Sequence, residues 1–420
     1  MKRSSDITRI PTANPGPGGR RRLLISAFLG QAEVFLLIGK NSDAKESARR
    51  ACAAAVGNSE RGLRAQALLL EARACGTLCD LLHMKEAAGN ALNIFSRIGD
   101  RHGKANALSA IGTFYFHHND LKKAGYYYKR ALSVFSRCRD VEGRALVLSN
   151  IGCICFARGE YEKAAGLFEK TLELAERKGS AADLADFYIQ AALPYRAVGK
   201  YRRSLHLLDN ALAVARRIGA RTKEGIAANN IANFYYYLKD YTKMEEYAFL
   251  SLNIFAEIDD PKNRAYAHLT LGNCYQKTKR CGLSEHHYKE CSRLGKITED
   301  VSLTGKAENN LGNLFYIQND LLKAKRHYLK ALTVFLRTGD EPGVADVYNN
   351  LGSIKAEQGN KREAIAFYLK AAGLYGKLGD IPFLAGAYRN TAAIYSELHD
   401  SEKEKYYREK AVLAERDGRI

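Results

Sequence analysis

Small residues recur in this chain every forty positions without insertion or deletion, and no other feature limits its possible folds so tightly. One column reads Ala32, Ala72, Gly112, Gly152, Ala192, Ala232, Gly272, Gly312, Gly352, Ala392. Nineteen residues on, a second reads Ala51, Ala91, Ala131, Thr171, Ala211, Ser251, Cys291, Ala331, Ala371, Ala411. Between them runs an aromatic-rich column, Tyr128, Phe168, Leu208, Ala248, Tyr288, Tyr328 and Tyr368, and a mostly small one from Ala124 to Ala364. Such a period marks stacked supersecondary units, each burying its apolar face against its neighbours, rather than one globular core.

Within a unit, apolar and small residues return at steps of three and four on either side of a short polar break, which is the pattern of two helices. In 301–340 the first helix is expected from about Leu303 to Ile317. Asn319 and Asp320 form the turn and cap, and the second helix runs to about Arg337. Gly339 follows it, and Gly99, Gly179, Gly219 and Gly379 hold the same place, suited to a left-handed residue after a helix. Pro261, Pro342 and Pro382 fall at first turns, where proline is tolerated. The expected fold is all-α, a right-handed superhelical solenoid of antiparallel helix pairs. Its ten units are 21–60, 61–100, 101–140, 141–180, 181–220, 221–260, 261–300, 301–340, 341–380 and 381–420. Residues 1–20, basic and proline-rich, read as a disordered arm. Pro194 interrupts a first helix and is expected to kink or shorten it, dividing the stack.

Leu311, Gly312, Phe315, Ala324, Tyr328 and Ala331 stand at the relative spacings of the tetratricopeptide repeat, which the chain resembles over about 21–420. The period is forty rather than the usual ~34, with the extra residues after the last alanine. The tryptophan position holds other residues, and glycine or aspartate replaces the closing proline. In these respects the units are similar to the longer repeats of kinesin light chains and of bacterial peptide-sensing regulators. The resemblance implies a scaffold that binds protein or peptide along the concave surface lined by first helices. The family's carboxylate clamp is poorly matched, since Asn309, Gly386 and Asn390 stand where its basic residues belong.

An independent observation points to the same face. Two residues before the Gly/Ala column the chain reads Ala110, Asn150, Gln190, Asn230, Thr270, Asn310, Asn350, Asn390. Asparagine is a poor helix former, so its repeated use inside helices needs a reason. Its amide both donates and accepts, and so can pair with the backbone of an extended visiting chain. Asn233, Asn273 and Asn313 lie three residues along on a neighbouring strip, and Tyr236 and Tyr316 three further, as flat amphipathic contact area. The competing reading is that the amides bond within the stack, bridging one helix to the next.

Other function classes find less support in the sequence. A net charge of +19 favours an acidic partner, and nucleic-acid binding through a basic surface is the rival reading. The charge is uneven, with eight basic against two acidic residues in 101–140 but four against seven in 221–260. Nine cysteines without framework spacing suit a reducing cytoplasm. Cys75/Cys79 and His287/Cys291 have metal-compatible spacing but lack the further ligands of a zinc site, so no metal or cofactor is expected. The histidine pairs 117/118 and 286/287 are placed near helix ends, and no phosphate loop or nucleophile motif occurs, so no catalytic residue is assigned. Residues 23–40 are too short and too polar to span a bilayer, and no targeting signal is read.

Overall fold

The computed structural model describes residues 17–78, 80–178 and 181–417. Among them are twenty α-helices and one 3-10 turn, Asn58–Glu60. The first ten are α1 (Pro17–Leu37), α2 (Asn41–Ala54), α3 (Arg61–Thr77), α4 (Leu81–Ile98), α5 (Arg101–His117), α6 (Leu121–Arg137), α7 (Val141–Ala157), α8 (Tyr161–Lys178), α9 (Ala181–Ala197) and α10 (Tyr201–Arg217). The second ten are α11 (Arg221–Leu238), α12 (Tyr241–Glu257), α13 (Pro261–Lys277), α14 (Cys281–Ile297), α15 (Val301–Ile317), α16 (Leu321–Thr338), α17 (Glu341–Glu357), α18 (Lys361–Leu378), α19 (Ile381–Glu397) and α20 (Ser401–Asp417). Odd-numbered helices are the first of each pair and even-numbered ones the second.

Local chemistry explains the regular length. Asp320 accepts the Lys323 N–H at 3.0 Å and so starts α16, and Asp340 does the same for Gly343 at 3.0 Å before α17. Among the described residues, sixteen of the helices stop on a left-handed residue, such as Asn319 (φ 59°) or Gly339 (φ 69°), whereas α2 ends on Ala55 with φ of −86°.

The small columns are matched to what faces them. A Cβ on Gly312 would lie 2.5 Å from the Tyr328 ring, and one on Gly352 2.7 Å from Tyr368. Where the facing residue shrinks to Leu208 or Ala248, the small one grows to Ala192 or Ala232. For Ala192 and Leu208 packing volume is thereby roughly kept while its division shifts, whereas Ala232 and Ala248 together fill less space than Gly312 and Tyr328. Tyr128, Tyr288 and Tyr328 are fully buried as a result.

The described residues form two compact units, divided between Ala227 and Ala228. In the first, successive first helices α1, α3, α5, α7 and α9 touch one another, and in the second α13, α15 and α17 do. Second helices make no comparable contact, so in each unit the first-helix side is the tighter, inner one.

Three expectations are corrected. Residues 17–20, assigned to the arm, are the opening turn of α1, where Pro17 is compatible with a helix start; residues 1–16 lie outside the described residues, as do Cys79 and Gly179. Pro194 does not end α9, because it falls in the last turn and forfeits a single backbone bond. The Val198 N–H still reaches the Pro194 carbonyl at 3.0 Å. The seam between the compact units lies instead at Ala227/Ala228, inside α11. His286 and His287 sit inside α14, not at its end, and His287 is buried.

Candidate functional site

The expected amides all lie half-buried on first helices, and their bonding follows a rule. The Asn310 amino group donates to Asn273 Oδ1 of the preceding first helix at 3.1 Å. Asn350 donates to both Asn313 Oδ1 and Asn309 Oδ1 at 3.1 Å, and Asn390 to Asn349 Oδ1 at 3.1 Å. From the second helices, Tyr288 donates its hydroxyl to Asn273 Oδ1 at 2.7 Å and Tyr328 to Asn313 Oδ1 at 2.8 Å. Burial pushes both phenols well above their ordinary range, so each stays a protonated donor. Thr270, in the ladder column, reaches Asn233 Oδ1 at 3.4 Å. Gln190 in the N-terminal unit accepts from Ser149 of the previous first helix.

The stack thus consumes one half of five of these amides. Ladder residues 310, 350 and 390 spend their amino groups, and 273 and 313 spend their oxygens. The opposite halves have no protein partner among the described residues and are not buried, so they face solvent. The inner face of the C-terminal unit consequently presents carbonyl acceptors at 310, 350 and 390 and amino donors at 273 and 313. Asn230 is engaged with a neighbour.

Tyr236 lies on the same face, with the Lys277 ammonium 5.5 Å from its ring centre. Tyr316 points its hydroxyl at Glu357 Oε1, 3.4 Å away, which is long for such a bond. Asn309 and Asn349, which the column reading passed over, are acceptors in this network. The doubled asparagines at 229/230, 309/310 and 349/350 were the available signal.

Asn150 belongs to a separate site in the N-terminal unit. It lines a cavity of about 640 Å³ with Gln66, Arg73, Asn106, Asp100 and Glu33, over a floor that includes Leu69 and Leu70. Carboxylates outnumber cations on its walls, so the acidic partner expected from net charge is not what this cavity favours.

The remaining candidates resolve differently. The His287 Nδ1 lies 2.8 Å from His268 Nδ1, so its partner is a histidine rather than Cys291. Cys75 is buried, which raises its thiol. No group of three or more potential metal ligands occurs among the described residues, and no helix there is long and apolar enough to cross a membrane.

Comparison with known proteins agrees with this architecture. A family model described as tetratricopeptide repeat matches residues 103–177 and 303–377. The transcriptional activator NprA of Geobacillus stearothermophilus is 31% identical over 86 residues, which cover 20% of this chain and 21% of that protein. The match thus spans only about a fifth of that curated relative. Among solved structures, a Rap protein in complex with competence and sporulation factor superposes with a TM-score of 0.55 at 16% identity, over 90% of this chain and 98% of that one. The apo quorum sensor NprR from B. thuringiensis gives 0.56 at 15% identity, over 83% and 97%. The signal-transduction ATPase PH0952 from Pyrococcus horikoshii, which carries a tetratricopeptide repeat sensor, gives 0.57 at 18% identity, over 86% and 53%. At such identities these structures speak to fold, and the fold they share is the tandem helix pair. With its own forty-residue register and its Gly–Tyr packing, the chain has the fold of tandem helix pairs and is similar to tetratricopeptide-repeat proteins, whose family model matches those two stretches.

Proposed function

We propose that this chain is a non-catalytic adaptor or regulator that holds an extended segment of a partner protein, or a peptide, along the first-helix face of its C-terminal unit. The observation that carries this reading is the half-spent amide. Acceptors at 310, 350 and 390 and donors at 273 and 313 are fixed in place by their other halves. An extended backbone likewise offers both N–H and C=O groups, and pairing with it does not depend on its side chains. Because bracing already holds the amides, little side-chain entropy remains to be lost on binding. Tyr236 and Tyr316 add rigid contact area at the margin of the same face.

The similar proteins are consistent with a partner-responsive stack, since one was solved with a competence and sporulation factor bound and another is a quorum sensor. Carried to this chain, the match to NprA favours a regulatory rather than a metabolic role.

The test is to select linear peptides from a random display library against the full chain and map the tightest by hydrogen exchange. Protection is expected to concentrate on α13, α15, α17 and α19. Protection confined to second helices, or spread evenly along the chain, rules the groove out.

A further inference from the structure

The outward face of α16 carries three leucines that the stack does not use. Leu322, Leu329 and Leu336 are 80%, 45% and 59% exposed. They are spaced by seven, so they form a single stripe about 21 Å long on one side of the helix. A lone exposed leucine needs no explanation, but three in register on one helix do.

An internal control shows that folding does not require them. α6 carries the same core residues as α16, with Ala124/Ala324, Tyr128/Tyr328, Ala131/Ala331 and Phe135/Phe335 in corresponding places. At the stripe it has Lys122, Lys129 and Ser136 instead. No other second helix has three apolar residues at these positions.

The charge around the stripe identifies what could cover it. α16 contains no carboxylate. Lys325, Arg326 and Arg337 form no ion pair among the described residues, and Lys330 has only Glu308 at 3.9 Å. Two copies meeting through this face would set cations against cations, whereas a helix bearing carboxylates beside an apolar seam would complement it.

We infer that α16 is a docking surface for an acidic amphipathic helix of a partner protein, its leucines interleaving with the partner's apolar seam and its cations facing the partner's carboxylates. This surface lies on a second helix and is independent of the amide face on the first helices.

The probe is a designed helical peptide of about three heptads, with leucine at the two seam positions and glutamate at the flanking ones. Its twin carries lysine in place of glutamate. Fluorescence anisotropy with the full chain should show the glutamate peptide binding at least about tenfold more tightly than the lysine peptide. The change Leu322→Gln, Leu329→Gln, Leu336→Gln should weaken it at least about tenfold, with circular dichroism and melting unchanged. Should that variant misfold, Leu322→Lys, Leu329→Lys, Leu336→Ser copies the residues α6 already tolerates and must still lose the glutamate peptide. The inference is overturned by equal binding to wild type and variant, by no preference between the peptides, or by no binding up to about 1 mM. Stripe-dependent dimerisation in sedimentation, or stripe-dependent pelleting with phosphatidylserine vesicles, would also overturn it in favour of a second copy or a membrane surface.

Discussion

Asn350 shows how one side chain can both build the stack and leave something for a ligand. Its amino group ties two acceptors on the preceding first helix while its carbonyl faces solvent. Asn350→Ala removes both ties and leaves Asn309 without that donor, so unfolding should become easier by about 1–2 kcal/mol, read from denaturant midpoints. The His268–His287 pair makes a different statement. With its Nδ1 atoms 2.8 Å apart, one ring must donate and the other accept. Burial, aided by neighbouring histidines, lowers both pKa values to about 4. A folded-state pKa below the unfolded value near 6.5 means that this stabilisation is complete above pH 6.5 and is lost as pH falls towards 4. Copying Tyr348 and Phe367, which hold the same register position, His268→Tyr with His287→Phe should flatten the loss of melting temperature between pH 7 and 4.5. An unchanged slope would place the acid sensitivity elsewhere. The sequence hid this pair because the partners are 19 residues apart and adjacent His286 drew the eye to a doublet.

Two devices repeat at the scale of the helix. The left-handed closing residue is glycine at 339 but glutamate at 299, with φ of 69° and 54°. Gly339→Ala should therefore cost about 1 kcal/mol, whereas Glu299→Gly should be neutral or gain up to about 1 kcal/mol; equal effects of the two changes would deny a conformational role. The Gly–Tyr contact makes a second prediction. Gly312→Ala forces a Cβ to 2.5 Å from the Tyr328 ring and should cost about 1–3 kcal/mol. Adding Tyr328→Leu, as Ala192 and Leu208 do naturally, should recover part of that loss, so the double-mutant cycle should show coupling rather than additivity. These devices were legible in the sequence because helix ends and small–large pairs are set by neighbours at fixed offsets. The continuation of α9 past Pro194 was not, because the cost of a proline depends on how many turns follow it.

At the scale of the whole chain, the period revealed the fold because each helix pair must repeat the packing of the last. The proposed binding face was only half legible. The columns located the amides, but which half each one spends depends on diagonal bonds such as Asn350 to Asn309 and Asn313, which a vertical reading cannot give. The N-terminal cavity was not legible, since its walls come from residues as far apart as Leu29 and Asp183. The same bonding separates bracing from binding in an experiment. Asn273→Asp with Asn313→Asp keeps the oxygens that accept from Tyr288, Tyr328, Asn310 and Asn350 and removes only the outward amino groups. The decisive measurement is the anisotropy-derived affinity of a library-selected linear peptide for wild type and this variant, taken at high salt to screen the added charge. The expected result is at least about tenfold weaker binding with an undiminished melting temperature. Equal affinity in two equally stable proteins would mean that the amides only brace the stack.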